Sequence, residues 1–133
     1  MARLTDIVFD SFDPPLLARF WAKALDNYGV RSYSEEDIKL LAEHGLTPDT
    51  DTSVAVDGPG PTLFFQKSDQ LKDERNRVHL DIRAPDRAIE VSRLEQLGAR
   101  VRDVHDGFTV LLDPEGNEFC VVELPIFGGR GDA

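Results

Sequence analysis

Polar and apolar residues along the first stretch of the chain, residues 4–12, read as a β-strand, with Ile7 and Phe9 on one face and Asp6, Val8 and Asp10 on the other. Asp13 then reads as a helix N-cap, and Pro14 as the first helical residue, where its missing N–H costs nothing. Leu17, Phe20, Trp21, Ala24, Leu25 and Tyr28 recur at helical spacing, and Gly29 supplies a stop. Residues 30–33 suit a short strand. Ser34 is placed to cap a second helix running to about Glu43, with Gly45 beyond its end. Asp37 occupies the capping-box position where Glu or Gln is usual, so an imperfect box is expected. Residues 52–57 and 61–67 read as strands joined at Gly58-Pro59-Gly60.

The order then starts again. Residues 77–83 alternate, with Val78, Leu80 and Ile82 on one face and His79, Asp81 and Arg83 on the other. Asp86 reads as an N-cap, Ile89, Val91, Leu94 and Leu97 as a helix, and Gly98 as its end. Residues 99–104 and 108–113 form a predicted hairpin around Asp106-Gly107. Asp113-Pro114-Glu115-Gly116 reads as a turn, residues 117–124 as a last strand, and residues 128–133 as a flexible tail. Asp6 precedes the N-cap Asp13 by seven residues, and His79 precedes Asp86 by seven. This internal repeat predicts one α+β domain made of two modules, at about 4–67 and 77–124. Each module has one helix-covered sheet face. The opposite faces are expected to curve around a shared cavity. By parity, the residues facing that space are Asp6, Val8 and Asp10; Phe64 and Gln66; His79, Asp81 and Arg83; and Glu118, Cys120 and Val122.

The 133-residue length suits one domain, and 41% hydrophobic with 30% charged residues is an ordinary globular balance. The net charge of −10 is shared evenly: residues 1–68 hold 11 acids and 6 bases, residues 69–133 hold 14 and 9. Such a surface repels phosphate backbones and anionic lipids, so neither nucleic acid nor membrane is an expected partner. The single cysteine allows no internal disulfide, and no signal-like or membrane-spanning run is evident, which predicts a cytoplasmic protein. Gly58-Pro59-Gly60-Pro61 lacks the Lys and Ser/Thr of a phosphate loop. Arg130-Gly131-Asp132 is read as a chance tripeptide.

Val78-His79-Leu80-Asp81, Leu97-Gly98-Ala99 and Asp113-Pro114-Glu115-Gly116-Asn117-Glu118-Phe119 strongly resemble the second half of glyoxalase-like proteins. These belong to the vicinal oxygen chelate superfamily, with glyoxalase I, bleomycin-resistance proteins and extradiol dioxygenases. Asp13-Pro14 with Phe20-Trp21 resembles the first half, so the resemblance covers roughly residues 4–124. It implies paired βαβββ modules forming a curved mixed sheet, often as homodimers. In metal-using members it implies four inward positions around a divalent ion such as Zn, Mg, Mn, Ni or Fe. Carried over, these fall on Asp6, His79, Cys120 where relatives have Glu, and Phe64, or Gln66 if the register slips by two. Phe64 cannot coordinate, and a thiol suits Zn²⁺ better than harder ions. The best metal set is Asp6, His79 and Glu118 or Cys120, with Gln66 as a further donor. His44 and His105 fall on a predicted helix end and hairpin tip, which disfavours an iron triad.

Each candidate has two readings. His79 is a metal ligand, a general base or a ligand-binding donor, or else a polar wall residue held by Asp81 or Arg77. Asp6 is a ligand or base, or a surface residue. Glu118 is a catalytic carboxylate, or the acid of an ion pair with Arg83 or Arg77. Cys120 is a reactive thiol or a small core residue. Arg83 clamps a ligand carboxylate or is solvated. Asp81, Gln66, Phe64 and Phe108 complete the expected substrate-binding wall. Phe20 and Trp21 read as core. The helix at residues 35–46 is a lid, a dimer contact or a mobile surface element. The favoured function is a small-molecule binding protein without a complete metal site, sequestering a compound or converting it by acid–base chemistry using His79 with Asp6 or Glu118. The alternatives are a metal-dependent lyase or isomerase of glyoxalase I type, and a non-catalytic interaction module whose cavity, around Phe64, Phe108, Val110 and Leu112, is filled.

Overall fold

A computed structural model describes residues 1, 3–69, 76 and 78–123. The tail at 128–133 and Arg130-Gly131-Asp132 lie outside the described residues, as do Arg77 and Leu124. The chain divides into two compact units, residues 1–71 and 72–133.

The first unit contains β1 (Asp6–Ser11), α1 (Pro14–Ala24), β2 (Gly29–Val30), α2 (Glu35–Glu43), β3 (Ser53–Asp57) and β4 (Thr62–Lys67). Its mixed four-stranded sheet runs β1-β4-β3-β2, with β1 and β4 parallel and the other pairs antiparallel. Register places Ile7 beside Leu63 and Phe9 beside Phe65, and sets Val54 against Phe65. Helix α1 packs on this face through Leu17 and Trp21, both almost wholly buried. Phe9 stacks on Phe65 at 4.8 Å and meets Trp21 at 5.9 Å. Each such fully buried side chain contributes about 2–3 kcal/mol.

Asp13 caps α1 by accepting from the Leu16 N–H. The helix stops at Ala24, four residues before the predicted end. Leu25 turns to extended backbone, and Asn27 takes a left-handed φ of 60°. This releases Tyr28 from the helix. Its hydroxyl donates to the Pro61 carbonyl at 2.9 Å, and its ring lies against Gly58 and Gly60. The β3–β4 connection therefore needs glycine at 58 for close approach. The capping box of α2 is complete: Ser34 accepts from the Asp37 N–H, and Asp37 accepts from the Ser34 N–H. Aspartate reaches far enough, so the expected imperfection is corrected.

The second unit repeats the plan with β5 (Leu80–Ala84), α3 (Arg87–Leu97), β6 (Arg100–His105), β7 (Phe108–Leu112) and β8 (Glu118–Glu123). Its sheet runs β5-β8-β7-β6, again with one parallel pair, β5 and β8. Asp86 caps α3 through the Ile89 N–H, and Gly98 ends it with φ 121°. Leu94, Leu111, Phe119 and Val121 form the buried core. Val78 precedes the strand and is exposed, as is Ile89, so neither joins that core. The two units thus share one mixed-sheet topology, an α+β architecture of paired βαβββ type.

Candidate functional site

In the second unit, alternation along β5 sends Leu80 and Ile82 toward α3 and leaves Asp81 and Arg83 on the opposite face. Pairing puts Asp81 beside Cys120 and Arg83 beside Val122, while Val110 and Phe108 lie beyond Cys120 and Val122 on β7. This face floors a pocket of about 630 Å³. Val110, Val122 and Phe108 provide its apolar surface, and His79, Asp81, Arg102 and His105 its polar border. His79 Nε2 lies 3.3 Å from an Asp81 carboxylate oxygen. Burial, then the charge of Asp81 and a hydrogen bond to it, push the Cys120 thiol up from its ordinary range. Cys120 is therefore a protonated donor at neutral pH rather than a reactive thiolate.

Glu118 also lines this pocket, but its carboxylate is engaged. Arg102 forms an ion pair with it, and the Asn76 N–H donates to it at 3.0 Å. Arg102 stands where Arg83 or Arg77 was expected, and Arg77 lies outside the described residues. Arg83 instead donates to the Glu123 carbonyl at 3.4 Å and does not line the pocket. Strand β6 carries a bulge between Val101 and Asp103. The extra residue breaks the two-residue alternation, so Arg102 and Asp103 both border the pocket. His105, read as a hairpin-tip residue, stacks on Phe108 at 4.6 Å and lines the same pocket. The register of β6 on β7, pairing His105 with Phe108, is the signal that places it there.

A family model described as a glyoxalase-like domain matches residues 6–122. The chain belongs to the glyoxalase-like domain family. No curated protein matches it. Among solved structures, this glyoxalase-like domain is similar to a glyoxalase/bleomycin resistance protein/dioxygenase family enzyme from Burkholderia phytofirmans PsJN. The identity is 14%, 93% of this chain and 100% of that one are covered, and the TM-score is 0.65. It is also similar to the fosfomycin resistance protein FosX from Mesorhizobium loti, at 14% identity, 92% and 91% coverage and a TM-score of 0.65. A possible glyoxalase from Bacillus cereus matches at 13% identity, 92% and 99% coverage and a TM-score of 0.60. Identities this low establish a shared fold and not a shared reaction.

In the first unit of the glyoxalase-like domain, Asp6 is exposed on β1 and accepts from the Thr5 hydroxyl at 3.1 Å. Gln66, also exposed, donates to Asp10 at 3.2 Å. Phe64 stands on the same sheet face, pairs with Val8 and Ala55, and lines a pocket of the first unit.

One nitrogen of His79, one oxygen of Asp81 and the sulfur of Cys120 all lie within 4.8 Å of one another. This mixed N, O and S set fits a zinc-type ion better than a hard ion, once the thiol proton is displaced. It substitutes Asp81 for the engaged Glu118. No helix among the described residues is long and apolar enough to cross a membrane.

Proposed function

We propose that this glyoxalase-like domain holds a small, partly apolar organic compound in the pocket of its second module, without a complete family metal set. The compound is sequestered, or converted by acid–base chemistry at His79. The observation that carries this reading is the combination of an apolar floor and a polar border in a space of about 630 Å³, within the usual range for small ligands. Val110, Val122 and Phe108 hold the apolar part of the compound. His79, with Asp81 beside its Nε2, offers an imidazole placed to give or take a proton at the pocket edge. Glu118, paired with Arg102, is a wall residue in this reading rather than a base. A cytoplasmic setting and a homodimer belong to the same reading, supported by the lone cysteine and by the family's habit.

Native mass spectrometry of protein purified without chelator or affinity metal tests the proposal. It expects an organic compound bound per chain, lost when Val110→Trp fills the pocket. Stoichiometric metal, lost in His79→Ala, overturns it in favour of a divalent-metal lyase or isomerase. That second reading rests on the convergence of His79, Asp81 and Cys120. When bound, the ion supplies Lewis-acid polarisation of adjacent substrate oxygens. Neither compound nor metal would leave a non-catalytic interaction module.

A further inference from the structure

The first module has a pocket of its own, of about 490 Å³, between α2 and the sheet face opposite α1. Helix α2 has no buried residue, although its sequence is amphipathic. Leu40 is 57% exposed, and Leu41 and Leu46 are half-buried along this pocket. Across from them stand Ala55 and the half-buried ring of Phe64. An ordered, capped helix that keeps its leucines in contact with water retains unused apolar surface.

The polar groups around this space decide what could cover it. Arg31 is held by Asp57 through two parallel bonds, Nε to Oδ2 at 2.8 Å and Nη2 to Oδ1 at 2.9 Å. Its guanidinium carbon lies 5.6 Å from the Phe64 ring centroid. Its charge is thus already matched, while its third nitrogen makes no bond among the described residues. His44 Nδ1 is engaged with the Leu40 carbonyl at 3.0 Å, which leaves Nε2 available at the pocket edge. Asp37 is fixed by the capping box, and Asp51 accepts from the Tyr33 hydroxyl at 2.7 Å. Both carboxylates line the pocket with no cation paired to either among its lining residues. An anionic guest would meet two negative charges and a guanidinium already neutralised. A neutral guest meets an aromatic face, aliphatic walls and two free polar nitrogens.

We infer that this first-module pocket binds a neutral, planar aromatic compound bearing a hydroxyl or carbonyl, stacked against Phe64 under α2 and hydrogen-bonded to Arg31 or His44. The probe pair 2-naphthol and 2-naphthoate tests it by amide chemical-shift titration of the full chain. The expected result is a saturable response to 2-naphthol at residues 31–33, 40–46, 53–55 and 64. Leu41→Lys, on the exposed helix, is expected to weaken binding at least about tenfold, equivalent to about 1.4 kcal/mol. Phe64→Ala is expected to do the same, with the amide dispersion of a folded chain retained in both variants. No saturable shift overturns the inference, as do shifts confined to the second module. Equal affinity for the naphthoate overturns the assigned ligand class.

Discussion

The Nε2 atom of His79 lies 3.3 Å from a carboxylate oxygen of Asp81, and the same Asp81 faces Cys120 across the parallel β5–β8 pair. One carboxylate thus connects the titratable imidazole and the buried thiol. A change at Asp81 is felt at both.

Asp81→Asn is expected to lower the pH at which the Cys120 thiolate forms. Burial is the main cause of the raised thiol value, with the Asp81 charge and hydrogen bond adding to it. Removing the second cause leaves the first, so the midpoint falls but stays above that of a free thiol. Because the folded-state value is raised, this thiol's contribution to stability is fully present below the ordinary thiol range. It is lost as pH rises through the folded value. Thiolate absorbance against pH is the measurement; an unchanged midpoint would show that Asp81 plays no part.

Arg102→Ala is expected to destabilise the second module by about 1–3 kcal/mol, because it leaves the Glu118 carboxylate, only 9% exposed, with the Asn76 N–H as its remaining donor among the described residues. The double variant Arg102→Ala with Glu118→Gln should recover part of that loss. Urea unfolding of the two variants distinguishes a structural ion pair from a solvated one.

Gly58→Ala is expected to destabilise the first module by about 1–3 kcal/mol. An added Cβ would come within 2.4 Å of ring atoms of Tyr28, whose hydroxyl is fixed on the Pro61 carbonyl. Pairing the change with Tyr28→Ala should make the alanine at 58 nearly silent. A thermal melt in which both backgrounds respond equally would refute the contact.

Asp57→Asn is expected to cost about 0.5 kcal/mol at neutral pH, a small amount because both partners are about half exposed. The Arg31 hydrogen bonds hold the Asp57 carboxyl below its ordinary range. Its contribution is therefore present above the unfolded carboxylate value and disappears as pH falls through the lower folded value. Stability curves of wild type and variant should converge in acid. A gap that persists there would mean the side chain acts through packing.

Much of the local architecture was legible from the chain. Asp13, Ser34 and Asp86 cap α1, α2 and α3, each by accepting from the N–H three residues on. That is a short-range hydrogen-bond rule, and sequence carries it. Parity put His79 and Asp81 on one side, and both line one pocket although His79 precedes β5. The resemblance carried by His79-Leu80-Asp81 and the Asp113 turn led to the family that residues 6–122 match. The end of α1 was less legible. Tyr28 keeps helical spacing, yet its hydroxyl bond to Pro61 lies 33 residues away and outweighs one more helical turn.

The sequence by itself determined the caps, the repeated strand–helix–strand order, the buried sheet faces under α1 and α3 and the family. Steric and hydrogen-bonding preferences within a few residues are enough for these. Only the tertiary structure decided that Glu118 pairs with Arg102, that His105 stacks on Phe108 and that Asp81 joins His79 and Cys120. These relationships depend on which strands lie side by side and on one inserted residue in β6. A single bulge reverses the facing of every residue beyond it, and nothing local in the chain announces where it will fall.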